Sequence, residues 1–418
     1  MSNNERNFML KYINSIYGKK NKVSANMTMH QIFKQFFTPQ KYSQIMINEL
    51  DIDIPKKVID LSMGEASLLL ESLKRWPEAE YFGNDIDEKC CEKICSEYLE
   101  ISCFNLDIFK KNTIKSIEEI TDKVDLCIGN PPFHLINQNE DIKYILGQYG
   151  LKSKYNSEKI PAEVIFILQC LTILSDNGTL SLILPDGFFV NKYLSHFREF
   201  LINNYMVLNV IELPTNIFEK TDAKTHILTL KKTKNKANKK IKLYKHDFPN
   251  TLLIKNSEAF NRMDYSYYES LKKYSDYEPI SKLDISFIRG KLKYKIKDIK
   301  PDHIMHTTNF SQGNIFRNRL RTKKQLLKYE SKIAMAGDIV FARVGSSCIG
   351  NVGYIEKGFF IATDCIFILR IDDKKLRKRI YNMLISKNGQ KWIHSNSKGV
   401  SAKHITLEDF KRFPYMED

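Results

Sequence analysis

The chain has 418 residues, enough for two or three domains and a sizeable core. It lacks the run of ~18 apolar residues that a membrane-spanning helix needs. Its polar start, Met1-Ser2-Asn3-Asn4-Glu5-Arg6, has no apolar signal core, and its eight cysteines show no Cys-x-x-Cys pairing; these features argue against an exported, disulfide-stapled or zinc-structured protein and for a reduced, cytoplasmic one. The net charge of +16 is uneven: residues 1–230 carry 25 Lys+Arg against 30 Asp+Glu, whereas residues 231–418 carry 40 against 19. A near-neutral half joined to a strongly basic half is the pattern of one domain coupled to another that meets a polyanion.

In chain order, the first half alternates apolar strands with amphipathic helices, which predicts an α/β, doubly wound sheet of Rossmann-like type. Val58-Ile59-Asp60-Leu61 reads as a strand, followed by Gly64 and a helix through Leu68–Leu73. Tyr81–Asp85 reads as a second strand, followed by a helix bearing Cys90, Cys91 and Cys95, and Ser102–Leu106 as a third, ahead of Asp107. A fourth strand, from Val124, ends at Asn130. Val164–Leu174 is helical, Asn177-Gly178 turns into the strand Thr179–Leu184, and Tyr205–Leu213 and Thr225–Leu230 complete the sheet, the last as an edge hairpin. Residues 231–242, rich in lysine and poor in apolar side chains, read as a linker or exposed hairpin tip. From Pro279 the pattern changes to short strands with glycine turns, such as Gly337–Gly345 and Gly350–Ile355, so a smaller α+β or β-rich domain is expected. The expected boundaries are 1–242 for the first domain, with 1–36 as a helical extension, 243–278 for a connector and 279–418 for the second domain.

The segment Asn130-Pro131-Pro132-Phe133 carries the strongest chemical signal. Two prolines fix φ and remove two N–H donors, and each residue before a proline is pushed into extended backbone. Asn130 is thereby held at a strand's carboxyl end beside carbonyls that no ladder uses, with the flat ring of Phe133 adjacent. Such a site accepts hydrogen bonds from an exocyclic amino group while a ring stacks on the attached planar group. Asn-Pro-Pro alone also reads as a turn, but Asp60, Asp85, Asp107 and Asn130 fall at successive strand ends. In an open parallel sheet those ends line one ligand crevice. Asp60 with Gly64 makes a tight turn, Asp85 stands where an acid takes a ribose diol, and Asp107 stands where an adenine amino group is met. The Gly-x-Gly-x-x-Gly fingerprint of dinucleotide sites is absent, which suits a nucleoside cofactor without a pyrophosphate. His134 follows the tetrapeptide, and the chemistry does not require it as a base. No metal site is expected.

These motifs resemble, in order and spacing over residues 30–232, the gamma-class N6-adenine DNA methyltransferases of restriction–modification systems. Phe37-Thr38-Pro39 matches the family's Phe-Thr-Pro cofactor element, Asp60-Leu61-Ser62-Met63-Gly64-Glu65-Ala66 its cofactor turn, and Asn84-Asp85-Ile86-Asp87 and Leu106-Asp107-Ile108-Phe109 its next two elements. Asn130-Pro131-Pro132-Phe133 matches its catalytic tetrapeptide, and Asn216-Ile217-Phe218 the element that supplies a second aromatic face. The resemblance implies S-adenosyl-L-methionine as cofactor, held by Phe37, Thr38, Pro39, Asp60, Ser62, Gly64, Asp85, Ile86, Asp107, Ile108 and Asn130. It implies a flipped adenine between Phe133 and Phe218, with Asn130 and the Pro131 carbonyl accepting the N6 hydrogens. One departure stands out: Ala66 occupies the place of a second glycine, which costs cofactor affinity if that position needs positive φ.

From Pro279 the chain resembles a target-recognition domain of type I restriction specificity subunits, through Leu283-Asp284-Ile285 with Gly290, Gly337-Asp338-Ile339-Val340 and Gly399-Val400-Ser401-Ala402-Lys403-His404-Ile405. Double-stranded DNA is the implied partner, with a separate restriction endonuclease as a second and a cytoplasmic, nucleoid-associated location. Arg289, Arg317, Arg319, Arg321, Arg343, Lys398 and Lys403 are candidate DNA contacts, the arginines at 317, 319 and 321 sharing one face if they lie on a strand. Residues 134–160, with Tyr144, Tyr149 and Tyr155, read either as a cover over the flipped base or as a surface loop. Two other readings use the same motifs: a cofactor-binding recognition subunit without turnover, and a methyltransferase of amino groups in RNA or of protein glutamine.

Overall fold

A computed structural model describes residues 38–215, 217, 224–233, 240–246, 248–291, 303–319, 332–345, 347–399 and 403–416. The expected helical extension over 1–36, Phe37, Phe218 and Arg321 lie outside these residues. The chain divides into two compact units between Tyr265 and Ser266.

The first unit is built on a nine-stranded sheet. Its strands in chain order are β1 (Lys57–Asp60), β2 (Glu80–Asn84), β3 (Ile101–Phe104), β4 (Val124–Gly129), β7 (Leu174–Pro185), β8 (Met206–Glu212), β9 (Thr225–Lys231), β10 (Ile241–Lys245) and β11 (Thr251–Ile254), with the short pair β5 (Leu135–Asn137) and β6 (Lys159–Pro161) standing apart as a hairpin. The spatial order is β11-β10-β8-β9-β7-β4-β1-β2-β3. From β3 to β7 all neighbours are parallel, so the carboxyl ends of β1 to β4 and β7 open on one edge. Helices α1 (Gln40–Asn48), α2 (Ser67–Arg75), α3 (Glu88–Glu97) and α4 (Thr113–Thr121) alternate with the first strands. α5 (Glu140–Gln148), α6 (Ala162–Ile173), α7 (Asp186–Val190) and α8 (Ser195–Asn204) follow. β1, β2 and β4 are buried almost throughout, and α6 is buried on every side, which explains its continuous apolar run and the absence of a polar stripe.

Four expectations are corrected. Thr225–Lys231 is an interior strand, antiparallel to both β7 and β8, because nearly every side chain in it is buried, including His226 and Thr229. The stretch from 243 is no connector: β10 continues the sheet in parallel with β8, β11 closes that edge, and the unit runs to Tyr265. Residues 231–242 therefore do not tip a hairpin of adjacent strands, since β8 lies between β9 and β10. The insert over 134–160 is folded rather than a free surface loop: the Tyr149 hydroxyl donates to the Leu168 carbonyl at 2.9 Å and Tyr155 is buried, with Tyr144 exposed.

The second unit holds a five-stranded sheet of order β12-β19-β16-β17-β14 and a three-stranded sheet of order β13-β18-β15, from β12 (Ser286–Arg289), β13 (Ile304–Met305), β14 (Asn314–Arg317), β15 (Ile333–Met335), β16 (Ile339–Ala342), β17 (Val352–Lys357), β18 (Phe359–Ala362) and β19 (Ile366–Arg370). The helices Lys374–Ile385 and Lys387–Asn396 follow, and Phe341, Phe367, Ile393, Phe410 and Phe413 fill one of its two apolar clusters. Among the described residues no helix is long and apolar enough to cross a membrane.

Candidate active site at the carboxyl edge of the first sheet

The site starts from backbone geometry. After β1 the chain turns through Gly64, whose φ of +51° is open to glycine without strain. The Met63 amide donates to the Asn84 carbonyl at 2.9 Å, and the Ala66 amide donates to the Met63 carbonyl at 2.7 Å. Ala66 sits at φ +58° and ψ +19°, just before α2. The condition that makes this residue costly is therefore met, since a left-handed conformation costs an L-residue with a side chain about 1–2 kcal/mol.

Each strand-end acid is held by backbone donors. Asp60, 1% exposed, accepts from the Ser62 amide at 2.8 Å. Asp85 accepts from the Gly64 amide and from the Asp87 amide, each at 2.9 Å. It thus ties the turn after β1 to the end of β2. Asp107 accepts from the Phe109 amide at 2.9 Å. Burial, aided by the Asp85 charge, pushes the Asp60 carboxyl up to about 8, and burial likewise raises Asp85. Between the ordinary carboxyl value of 3.8 and about 8, folded Asp60 keeps a proton that the unfolded chain releases, so its contribution to stability declines as pH rises through that window. Asp60→Asn mimics the protonated form. Its melting temperature relative to wild type is expected to rise steadily from pH 5 to pH 8, as differential scanning calorimetry would read; a constant difference would disprove the assignment.

The tetrapeptide follows β4 directly. Gly129 leaves no side chain where Asp60 Oδ1 would stand 3.2 Å from a Cβ. Asn130 Nδ2 donates to Thr38 Oγ1 at 3.1 Å, and Ser62 Oγ donates to the Asn130 carbonyl at 3.3 Å. The amide side chain's nitrogen is thus turned toward Thr38. Phe133 is partly buried against the core cluster that includes Leu213 and Ile217. A crevice opens here, lined by Thr38, Asp60, Ser62, Met63, Gly64, Glu65, Ser67, Leu68 and Asn130. Of the expected cofactor residues it gathers Thr38, Asp60, Ser62, Gly64 and Asn130. Pro39, Asp85, Ile86, Asp107 and Ile108 lie outside its lining, Ile86 exposed and Ile108 buried. A glycine turn, buried acids and an open crevice at strand ends fit a nucleoside cofactor.

Asn84 was not singled out by its residue type. Its Nδ2 donates to the Leu61 and Leu106 carbonyls at 3.0 and 3.1 Å, and its Oδ1 accepts from the Leu106 amide at 3.1 Å, so one buried side chain joins the segments that follow β1 and β3. A polar residue at the end of an apolar strand was the only available signal. Asn84→Ala is expected to cost about 3 kcal/mol by leaving buried partners unmatched, measured by urea unfolding, and to weaken cofactor binding in calorimetric titration. Unchanged values in both would refute this role.

In the second unit the candidate DNA contacts separate. Arg289, Arg317 and Arg319 are exposed. Arg289 reaches Asp364 at 3.9 Å, and Arg317 pairs with Glu356. β14 ends at Arg317, so strand alternation does not carry on to Arg319. Arg343 is a correction: it is buried, with Nη1 donating to the Asp364 carbonyl at 3.1 Å and its guanidinium over the Phe367 ring, a structural post that offers no free fork. Lys398 is paired with Asp409 at 2.9 Å, and Lys403 is half-buried. All eight cysteines are free, and among the described residues no group of three His, Cys, Asp or Glu is placed to hold a metal ion.

Residues 217–416 match the type I restriction modification DNA specificity domain. The chain is 25% identical over 224 residues to the type I restriction enzyme MpnII methylase subunit of Mycoplasma pneumoniae, covering 48% of this chain and 41% of that one. It is 31% identical over 114 residues to the type II methyltransferase M.BstVI of Geobacillus stearothermophilus, covering 27% and 20%. The type IIG restriction endonuclease BpuSI superposes with a TM-score of 0.48 at 12% identity, over 98% of this chain and 60% of that one. The chain spans about half or less of the length of the curated relatives it matches. Residues 25–282, well over half of the chain, match the family described as N-6 DNA Methylase, and the chain belongs to that family.

Proposed function

We propose that this chain transfers a methyl group from S-adenosyl-L-methionine to N6 of an adenine swung out of double-stranded DNA, as the modification part of a restriction–modification system. The observation that carries the reading is Asn130, held at the end of β4 between Thr38 and Ser62 and followed by two prolines and an aromatic ring. Its side-chain oxygen and the Pro131 carbonyl accept the two N6 hydrogens. That arrangement favours a pyramidal nitrogen with its lone pair free, and preorganised acceptors stabilise the positive charge that develops on it. The cofactor supplies a methyl group already activated on a sulfonium. Thr38, Asp60, Ser62 and Gly64, which line the crevice, would hold it, and Asp85 would steady the turn by accepting from the Gly64 amide, with Asp107 at the end of the next strand. The target atom is unreachable inside a duplex, so the base is extruded and stacks on Phe133, a contact worth about 1–3 kcal/mol. Phe218 is assigned the opposite face. Phosphate contacts from the basic second unit supply affinity, and base-edge contacts supply site choice; Arg289, Arg317, Arg319, Arg321 and Lys403 are the candidates.

The test is transfer of labelled methyl from S-adenosylmethionine into unmethylated genomic DNA, with RNA and cell protein extract in parallel. Label recovered as N6-methyladenine in DNA is the expected result, and sequencing that DNA would reveal the recognition site. Label only in RNA or protein would overturn the acceptor. Cofactor binding without transfer to any of the three would favour a recognition subunit, the reading to which the strained Ala66 lends support.

A further inference from the structure

On the far side of β4 from the cofactor crevice, a buried ionic cluster joins the ends of four strands. Lys224 Nζ lies 3.1 Å from Glu212 Oε1 and 3.6 Å from Asp186 Oδ1. His226 Nε2 lies 2.9 Å from the same Asp186 oxygen, and Lys245 Nζ lies 3.6 Å from the same Glu212 oxygen. Asp186 follows β7, Glu212 ends β8, His226 is the second residue of β9, and Lys245 ends β10. Main-chain bonds run alongside: the Asp186 amide donates to the Lys224 carbonyl at 2.9 Å, and the Leu213 amide to the Thr225 carbonyl at 3.1 Å. Asp186, Glu212 and His226 are 6%, 2% and 0% exposed.

Stability alone does not account for this cluster, because apolar replacement of buried ion pairs is often neutral or stabilising. What paired charges add is a unique arrangement. Glu212 and Lys224 stand at the two stems of the connection between β8 and β9 and bond across them. Leu213, the first residue past the Glu212 stem, and Ile217 belong to the apolar cluster on which Phe133 packs. The crevice lining comes from the β1 side of Asn130, whereas this cluster lies on the β7, β8 and β9 side.

We propose that Lys224, Asp186 and Glu212 are positioning residues for the acceptor side of the site: they fix the stems of the β8–β9 connection so that Leu213 and Ile217 hold the Phe133 ring in one attitude. The proposal rests on the reading of Phe133 as the surface that receives the flipped base. Its direct readout needs no turnover. With Phe133→Trp as reporter in the full chain, Lys224→Met increases acrylamide quenching of that tryptophan by about twofold or more, while Trp76 and Trp392 in the parent background do not change. In the Phe133 background, Lys224→Met lowers kcat by about tenfold or more, as small displacements at a reacting centre do. KM for S-adenosylmethionine stays within about twofold, and Lys224→Arg restores most of kcat. Should Lys224→Met fail to fold, Lys245→Met, at the half-exposed end of the cluster, gives a smaller change of the same kind. Unchanged quenching with full kcat would overturn the proposal, and so would a loss confined to cofactor KM. Absence of transfer by the wild type would refute the methyltransferase reading, and the quenching result would still judge the cluster.

Discussion

Replacing Asn130 with alanine lowers methyl transfer by at least about 10²-fold, the loss seen when one preorganised partner of a developing charge is removed, while S-adenosylmethionine still binds. The backbone at Asn130 is set by Pro131 and Pro132 and by the Ser62 hydroxyl on its carbonyl, so the alanine variant keeps the loop and loses the Oδ1 acceptor together with the Nδ2 bond to Thr38. Thr38→Ala is the graded companion. It leaves Asn130 Oδ1 chemically intact but releases Nδ2 from its 3.1 Å tether, so transfer falls by about tenfold through misorientation. Single-turnover transfer and equilibrium cofactor binding separate the two effects. Equal transfer by the Asn130 variant would sink the catalytic assignment, and equal loss of cofactor binding would move Asn130 to the binding machinery alone.

Arg198→Met is expected to be the most destabilising single change in the first unit. Arg198 is fully buried, and its guanidinium spends its donors on main-chain carbonyls: Nη1 on Phe188 at 2.7 Å and Asn191 at 3.1 Å, Nε on Phe260 at 3.1 Å, and Nη2 on Asn261 at 2.7 Å. One side chain on α8 thus ties the α7 turn to the segment that closes the unit after β11. Methionine fills much of the volume and removes these four bonds, the Asn191 carbonyl keeping the Leu194 amide at 3.1 Å, which costs about 3–5 kcal/mol. For a unit of this size that is a drop of roughly 10 °C in melting temperature. Arg198→Lys keeps the charge but cannot reproduce the planar fork, so it recovers only part of the loss. A melting temperature within about 2 °C of wild type for the methionine variant would show that the bonds carry little net stability.

The sequence by itself determined the doubly wound first half, the succession of its first four strands along the chain and the placing of Asp60, Asp85, Asp107 and Asn130 at or just past their ends. These are local properties: a short apolar run between turn residues commits to a strand, and proline stiffness acts on its immediate neighbours. It also located the strain at Ala66, because a glycine-dependent conformation depends on φ at one residue. Tertiary structure alone decided the rest. Whether Thr225–Lys231 is an edge or interior strand depends on β7 and β8, both remote in sequence. Nothing in a charged stretch followed by alternating residues says that β10 will pair with β8 in parallel. Arg343 and Lys398 read as free cations in a basic half, yet burial and an acidic partner occupy them. Asn84, Arg198 and the Lys224 cluster were invisible for the same reason: each draws its role from carbonyls or carboxylates contributed by distant segments, and only the closed fold brings those into reach.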